Sequence, residues 1–321
     1  MSETTATIIF ALVVLLGAVS AAAVLTWFER RLLGIWQDRY GPNRLGPLGI
    51  FQVLADMLKL LTKHDWVPPF SDRVVFVFAP TALVVAMMMG FAVVPFSETL
   101  YIIDIDIGLL FFLGMTSLAV YAVLLGGLAS NNKYALLGGL RSAAQMVSYE
   151  VFMGLSLMGV VMLTGSFSLQ AIVLAQVDGW YCFSQILGLY VFLIAGIAES
   201  HRLPFDLPEA EHELTAGFHT EYSGMKFAMF MLGEYLGLIL ISCMITTLFF
   251  GGWLGPDWLP GLFWFSLKTF FFICFFILLR AAIPRPRYDQ LMSLGWKVLL
   301  PITLLNLVIT GALALSLQGA S

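Results

Sequence analysis

The sequence contains few charged residues and few cysteines. Asp, Glu, Lys and Arg make up 11% of the 321 residues, against about 25% in a typical soluble domain. The three cysteines, Cys182, Cys243 and Cys274, lie far apart in apolar surroundings. An iron–sulfur cluster needs about four thiolates, and a disulfide framework or zinc site needs paired spacing. The sequence therefore predicts none of these features.

The signatures of nucleotide binding are also missing. The chain has neither a Gly-rich dinucleotide turn nor a phosphate loop, motifs whose glycines let the backbone approach phosphate groups. Whatever electron carriers the protein serves, it does not hold them through these motifs. We expect this chain to bind no flavin, NAD, iron–sulfur cluster, metal or nucleic acid.

Long apolar segments dominate the sequence instead. Hydrophobic residues make up 60% of the chain, against about 45–50% in soluble domains, and a helix needs about 20 residues to cross the hydrocarbon layer. The sequence predicts an all-α integral membrane protein with one polytopic domain over residues 1–321. The first segment has no basic start, so we expect an uncleaved helix rather than a signal peptide. About eight transmembrane helices are expected, at residues 7–28, 74–96, 107–130, 143–164, 181–199, 222–250, 262–281 and 291–315.

The positive charges are confined to one side of these predicted spans. The N-terminus, segments 97–106, 165–180 and 251–261, and the C-terminal tail contain no Lys or Arg, whereas the alternate loops contain many, including Arg39, Arg44, Arg285 and Arg287. Because basic loops stay in the cytoplasm, we expect both termini on the periplasmic side. Structured cytoplasmic loops are expected at about residues 29–73 and 199–221.

The first of these loops is predicted to contain an interfacial helix. Residues 50–64 place apolar side chains on one helical face and Gln52, Asp56, Lys59 and Lys63 on the other. The segment is short and charged, which is typical of a helix lying along the membrane surface. Two interpretations stay open: the helix packs on the surface, or its apolar face lines the access route of a lipid-like substrate.

Four ionisable residues lie within the predicted spans or at their ends: Glu150, Glu199, Glu234 and Lys268. A charge at the bilayer centre costs about 2.5–3.5 kcal/mol on insertion scales, so such residues usually face a protein interior or a wet cavity. Glu234 and Lys268 fall at similar predicted depths on different helices. We expect them to be neighbours or to share a water chain, with a static ion pair as the alternative.

The loop at 199–221 is unusually acidic. Asp206 and Glu209 fit the capping box of a helix start, but this leaves Glu211 and Glu213 unexplained. Glu209 and Glu213 lie four residues apart, where like charges are mildly destabilising. Crowded carboxylates disfavour one another's ionisation, so some can exchange protons near neutral pH. The sequence favours a proton-handling cluster over a solvated acidic surface.

Several motifs together resemble a known family. They include Glu29-Arg-Arg-Leu-Leu-Gly, Arg39-Tyr-Gly-Pro-Asn-Arg-Leu-Gly, Arg202-Leu-Pro-Phe-Asp206-Leu-Pro-Glu-Ala-Glu211 and Glu221-Tyr-Ser-Gly-Met-Lys226. They resemble the family of the H subunit of bacterial NADH:quinone oxidoreductase, respiratory complex I, which corresponds to mitochondrial complex I subunit 1. The resemblance covers nearly the whole chain. It implies a membrane subunit of a proton-translocating oxidoreductase that is not catalytic alone.

The resemblance also implies roles for individual residues. A quinone chamber would be lined or shaped by Glu29, Arg30, Asp56, Arg202 and Asp206. A proton path would comprise Glu150, Glu199, Glu209, Glu211, Glu213, Glu221 and Glu234, to which the depth argument adds Lys268. Arg285 and Arg287 would lie near the peripheral arm. The implied substrate is ubiquinone or menaquinone.

The implied setting is a bacterial inner membrane. The partners would be the peripheral iron–sulfur and quinone-site subunits, other membrane-arm subunits and lipid. Three alternatives remain at this stage: a membrane subunit of a related energy-converting hydrogenase complex, a stand-alone ion transporter, and a passive membrane anchor. The transporter is disfavoured because the sequence shows no inverted repeat.

Overall fold

The computed structural model describes residues 3–207, 215–256 and 258–318, which contain helices and loops but no strand. This confirms the all-α fold. Four short segments of the described chain are helical but not α-helical: 3₁₀ turns at Pro47–Gly49, Phe91–Val93 and Gly217–His219, and a π-helical segment at Gly295–Leu299 that joins the last two helices. The helices are α1 (Glu3–Trp36), α2 (Gln52–Thr62), α3 (Arg73–Gly90), α4 (Gly108–Ala129), α5 (Lys133–Thr164), α6 (Leu169–Leu174), α7 (Tyr181–Ser184), α8 (Ile186–Glu199), α9 (Gly224–Phe249), α10 (Gly261–Ala282), α11 (Tyr288–Leu294) and α12 (Leu300–Gln318).

Seven helical segments in the described part of the chain are long and apolar enough to cross a membrane. The fifth predicted span, at 181–199, is different because it is interrupted. The four-residue α7 is followed by Gln185, whose φ of −120° and ψ of 41° are not helical, and only then by the 14-residue α8. Of the eight predicted spans, seven correspond to long helical segments, and the fifth corresponds to two short helices separated by Gln185.

The first loop starts later than the sequence indicated. Helix α1 continues to Trp36, so Glu29 and Arg30 stand on a helix and the loop predicted from residue 29 begins about two turns further on. The following chain folds back against this extension, where Arg31 Nη1 and Trp27 Nε1 donate to the Leu48 carbonyl over 3.3 and 3.1 Å. A Cβ on Gly34 would lie 2.9 Å from the Gly41 nitrogen, so this close approach requires glycine.

Contacts between loops show that successive spans alternate in direction. On one side Asn132 Nδ2 donates to Glu221 Oε1 over 2.7 Å and Lys226 Nζ to Asp65 Oδ2 over 2.6 Å. We call this the basic side because it also carries Arg39, Arg44, Arg285 and Arg287. On the opposite side Ser168 Oγ donates to Asp104 Oδ1 over 2.9 Å. This grouping of loops agrees with the one predicted from charge.

Helix α2 is the predicted amphipathic helix, shortened to Gln52–Thr62. Its apolar side chains are exposed, with Leu54, Leu58 and Leu61 each more than half accessible. On its other face Asp56 accepts a hydrogen bond from Arg30 Nη1 over 2.6 Å. The helix therefore lies against the end of α1 and leaves an apolar face for a membrane to cover.

Helix α5 is the centre of the bundle, with α4, α8 and the last helices packed around it. It carries a buried polar face of Ser142, Gln145 and Ser148. Gln145 Nε2 donates to the carbonyls of Ala198 and Phe205, each over 2.9 Å. These bonds fix the end of α8 and the loop that follows it, the segment from which the site described below is built.

Candidate functional site

A cavity of about 710 Å³ opens on the basic side between α1, the loop at 39–42, the loop after α8, and α9. Its wall mixes apolar groups with a high density of charge. The lining residues are Glu29, Arg30, Leu33, Arg39, Tyr40, Gly41, Pro42, His201, Arg202, Leu203, Asp206, Met231, Glu234, Tyr235 and Arg280. Pockets of about 300–1,000 Å³ hold small organic ligands.

Glu29 is the centre of a buried ion cluster in this wall. Its side chain is only 4% exposed, yet it receives hydrogen bonds from Arg202 Nη1 over 3.0 Å and from Arg280 Nη1. The Arg202 guanidinium also lies 4.1 Å from the centre of the Tyr235 ring, a favourable cation–π position. A buried carboxylate needs such partners to stay ionised.

The charge of Arg202 is maintained by these neighbours. Burial on its own would lower the pKa of the guanidinium, but the negative charge of Glu29 raises it above its ordinary value. Arg202 therefore holds a permanent positive charge at the cavity wall, away from bulk water. In such surroundings its attraction for a developing anion is stronger than at the surface.

Asp206 and Arg30 take part in less buried ion pairs at the cavity rim. Arg285 Nη2 donates to Asp206 Oδ2 over 3.2 Å, and Arg30 pairs with Asp56 as described above. The predicted chamber residues Glu29, Arg30, Arg202 and Asp206 thus share one cavity. Asp56 is joined to it only through Arg30.

Two carboxylates lie deeper in the bundle, near the cavity. Glu150 on α5 accepts a hydrogen bond from the hydroxyl of Ser117 on α4. Glu199, the last residue of α8, is 2% exposed, and its carboxylate oxygens have no hydrogen-bond partner among the described residues. The charges of Glu150 and Glu199 are close enough to interact.

The loop that follows Glu199 contains a buried histidine that lines the cavity. His201 lines the cavity two residues after Glu199, and its Nε2 lies 3.2 Å from Ser142 Oγ. Burial lowers the pKa of His201 to about 4, assisted by the charge of His219, whose own pKa is lowered by burial to about 4. Both imidazoles are therefore neutral at pH 7.

Comparison with known proteins agrees with this architecture. A family model described as NADH dehydrogenase matches residues 8–311. The chain belongs to this family. It is also 64% identical over 303 residues to the H subunit of NADH-quinone oxidoreductase from Methylococcus capsulatus strain Bath, a match that covers 94% of this chain and 96% of the relative.

The expectation that Glu234 and Lys268 are neighbours is wrong for this NADH dehydrogenase family member. Glu234 lines the cavity on the basic side. Lys268 Nζ instead donates to the carbonyls of Phe250, Gly252 and Leu254 over 2.7, 3.1 and 2.6 Å, beyond the other end of α9. Residues 234 and 250 are about 24 Å apart along a helix. The depth predicted for the Lys268 ammonium was wrong because its long side chain reaches backbone carbonyls whose position the sequence does not reveal.

The other predicted residues of this family member fall into three groups. Glu209, Glu211 and Glu213 lie outside the described residues. Glu221 is held at the basic side by Asn132. Arg285 and Arg287 are both exposed there, and the backbone of Arg287 begins α11 by donating to Gln290 Oε1 over 3.1 Å.

Tyr235, Arg280 and His201 line the cavity although the sequence did not predict them there. Tyr235 follows Glu234, and Arg280 lies near a predicted span end, but neither position carries a local signal of a site. His201 stood in the acidic loop without an assigned role. Within the described residues, no group of three or more His, Cys, Asp and Glu side chains is arranged to hold a metal ion.

Proposed function

We infer that this chain is a membrane subunit of an NADH:quinone oxidoreductase, and we propose that its cavity receives the quinone headgroup. The relationship to the NADH-quinone oxidoreductase protein of Methylococcus capsulatus supports the first statement. The observation that carries the second is the cavity itself, where apolar groups such as Leu33 and Met231 stand beside the charged pair of Glu29 and Arg202.

This wall suits a substrate that is apolar when oxidised and becomes anionic as it gains electrons. Arg202 and Arg280 face the region where negative charge develops, and Glu29 keeps both cations in place before the substrate arrives. Preorganised charge of this kind stabilises an anionic species without reorganising the site. The aromatic ring of Tyr235 supports the Arg202 guanidinium from the other face.

We propose that quinone reaches the cavity from the membrane between α1 and α2. The exposed apolar face of α2 would contact lipid, and the Arg30–Asp56 pair would shape the passage where the two helices meet. Of the two interpretations left open by the sequence, this favours the access route. The proposed substrate is ubiquinone or menaquinone.

The proposed proton path begins at Glu234 in the cavity wall and continues through Glu199 and Glu150 into the bundle. Glu221 and the acidic residues Glu209, Glu211 and Glu213 would extend it on the basic side. Carboxylates that exchange protons in response to charge on the quinone can pass that change along the membrane arm. Lys268 is left out of this path because three carbonyl oxygens already bind its ammonium group.

The proposed setting is the plasma membrane of a bacterium, with the basic side in the cytoplasm and both termini in the periplasm. Arg285 and Arg287, exposed on the basic side, would contact the peripheral arm that carries the iron–sulfur clusters. Other membrane-arm subunits would receive the proton path, and lipid would cover the remaining apolar surface. The electron carriers are proposed to belong to those partner chains.

Photolabelling tests the assignment of the cavity. The assembled complex is irradiated with a quinone carrying a photoreactive group on its ring, and the labelled peptides are identified. We expect label on the loop at 39–42 or on α9 near residues 231–235, and we expect excess unlabelled quinone to suppress it. Labelling of only the lipid-facing surfaces of α1 and α12, unaffected by competing quinone, would show that the cavity does not receive quinone.

A further inference from the structure

A second polar cluster lies inside the bundle, at the interruption of the fifth span. Gln185 is 1% exposed, and both ends of its amide are bound. Its Oε1 accepts from Asn306 Nδ2 over 2.9 Å, and its Nε2 donates to Thr310 Oγ1 over 2.9 Å. Thr310 Oγ1 in turn donates to the Asn306 carbonyl over 2.8 Å.

Two glycines from neighbouring helices make room for this cluster. A Cβ on Gly159 of α5 would lie 2.4 Å from Gln185 Oε1 and 2.9 Å from Asn306 Nδ2. A Cβ on Gly188 of α8 would lie 3.3 Å from the same Asn306 nitrogen. Small residues allow helices to approach closely in membranes. Here the two glycines lie against the amides of Gln185 and Asn306, so α5 and α8 both leave space for this pair.

The cluster holds the break in place. A buried amide that loses its partner keeps the full desolvation penalty, and irregular backbone at membrane depth needs support from the surrounding protein. Helix α8 begins directly after Gln185 and ends at Glu199. Its 14 residues form a rod of about 21 Å, so a rotation or shift at the break reaches the Glu199 carboxylate.

The last helices also contact the neighbourhood of Glu150. Tyr149 Oη donates to the Leu291 carbonyl over 2.9 Å, and a Cβ on Gly295 would lie 2.5 Å from Phe152. A π-helical segment at Gly295–Leu299 joins α11 to α12, and such segments shift the faces of a helix relative to each other. The helical segment Tyr288–Ser316 thus has two contacts. One is with the residues beside Glu150, and the other is with Gln185, which directly precedes the helix that ends at Glu199.

We propose that Gln185, Asn306 and Thr310 form an intramembrane latch that sets the spacing between Glu199 and Glu150 by fixing α8 to α12. The three are positioning residues. The proposal rests on the proposed function, because it gives this spacing a role in proton transfer. It extends that function to a part of the molecule outside the cavity and the acidic loop.

Thr310 offers a matched set of variants for the test. Thr310→Val keeps the volume but removes the acceptor of Gln185, whereas Thr310→Ser keeps a hydroxyl. Thr303→Val is the control, since Thr303 is also buried on α12 and its hydroxyl donates only to the Leu300 carbonyl. Each variant is introduced into the whole complex. The rate of quinone reduction is divided by the rate of NADH oxidation with a water-soluble acceptor, which corrects for the amount of assembled complex.

The latch predicts that T310V lowers kcat about two- to tenfold, the range that corresponds to the net free energy of one interior hydrogen bond, while KM for quinone stays unchanged. T310S and T303V are expected to match the wild type. In a Glu199→Gln background T310V should add no further loss, because the latch acts through Glu199. Where E199Q leaves too little turnover for comparison, Glu199→Asp serves as the background.

The possible failures can be told apart. Equal activity of T310V and T303V overturns the latch, and so does a T310V loss of the same factor with and without Glu199. In both cases an impaired E199Q leaves the proposed proton path standing. Wild-type turnover in E199Q defeats the path itself, and with it the functional role of the latch.

Discussion

Lys268 and Glu199 are both ionisable residues inside the bundle, but their surroundings differ. Lys268, toward the opposite side, has a carbonyl oxygen for each of three hydrogen bonds and lies 4.6 Å from the centre of the Trp180 ring. Glu199, toward the basic side, is more deeply buried and has no hydrogen-bond partner among the described residues. A fully bound cation stabilises one arrangement. A carboxylate without hydrogen-bond partners has no such contacts to lose when its protonation state changes.

The polar groups around these two residues differ in the same way: those near Lys268 are hydrogen-bonded to the backbone, and those near Glu199 are ionisable. Near Lys268, Gln176 donates to the Thr247 carbonyl and accepts from the Gly251 nitrogen, each over 3.0 Å, which ties the loops together. Near Glu199 the buried ionisable groups include Glu29 and Arg202 in the cavity wall and the neutral His201, and the neutral His219 is half-buried. We infer that the opposite side of the bundle is built for rigidity and the basic side for charge movement.

The largest expected effect concerns the buried ion cluster on the basic side. Arg202→Met leaves Glu29 buried with Arg280 as its remaining cation. Breaking a buried ion pair costs about 3–5 kcal/mol, and we expect the lower end because Arg280 stays. The amount of assembled complex in membranes and its thermal inactivation measure this loss. Arg44→Met, in an exposed loop, is the control, and equal stability of the two variants would show that the cluster is not structural.

The next effect concerns proton transfer. Glu199→Gln removes the titratable group and keeps its shape, so quinone reduction by the assembled complex should fall at least about tenfold, below the full range of about 10²–10⁴ for acid–base groups. The rate of quinone reduction is divided by the rate of NADH oxidation with a water-soluble acceptor. Glu98→Gln, an exposed acid on the opposite side, should change nothing. Equal turnover of the two variants would remove Glu199 from the path.

Lys268→Met should show the reverse behaviour. It keeps the side-chain length but removes three hydrogen bonds to carbonyls, so we expect a stability loss of about 1–3 kcal/mol with turnover per assembled complex unchanged. Thermal inactivation and quinone reduction are measured together, with Lys63→Met as an exposed control. Normal stability combined with lost turnover would show that Lys268 takes part in turnover and does not stabilise the structure.

The smallest expected effect is a dependence of stability on pH. The pKa of His201 is about 4 in the folded protein and about 6.5 when unfolded. The unfolded state therefore binds more protons between these values, so stability is complete above pH 6.5 and falls as the pH drops toward 4. His201→Asn should reduce the loss between pH 7 and pH 5 by on the order of 1–2 kcal/mol.

Thermal inactivation at pH 7 and pH 5 measures this difference. His64→Asn serves as the control because His64 is exposed. An acid sensitivity in H201N as steep as that of the wild type would show that His201 is not a buried neutral group. His219 is half-buried and has a similar pKa, so it is expected to account for part of the remaining dependence of stability on pH.

The sequence was sufficient for the features that depend on hydrophobicity and charge. The spans, the side of each loop and the amphipathic α2 follow from patterns that a bilayer imposes directly. The motifs around Glu29 and Arg202 also led to residues that meet in one cavity. These residues are separated by 173 positions, and only the family resemblance connected them.

Features that depend on distant partners were not predictable. The break at Gln185 has no proline or glycine to announce it, and the groups that hold it, Asn306 and Thr310, lie more than 120 positions away. The position of Lys268 depends on carbonyls exposed where α9 ends. In each case the local sequence allows a regular helix or an ion pair, and tertiary hydrogen bonds decide otherwise.

The proposed proton path requires that Glu199 and Glu150 respond to the reduction of quinone. Infrared difference spectra of the assembled complex, recorded between its oxidised and quinol-bound states, test it most directly. We expect a carboxyl band that changes on reduction, is lost in Glu199→Gln or Glu150→Gln, and persists in Glu98→Gln. A difference spectrum identical in all four proteins would contradict it.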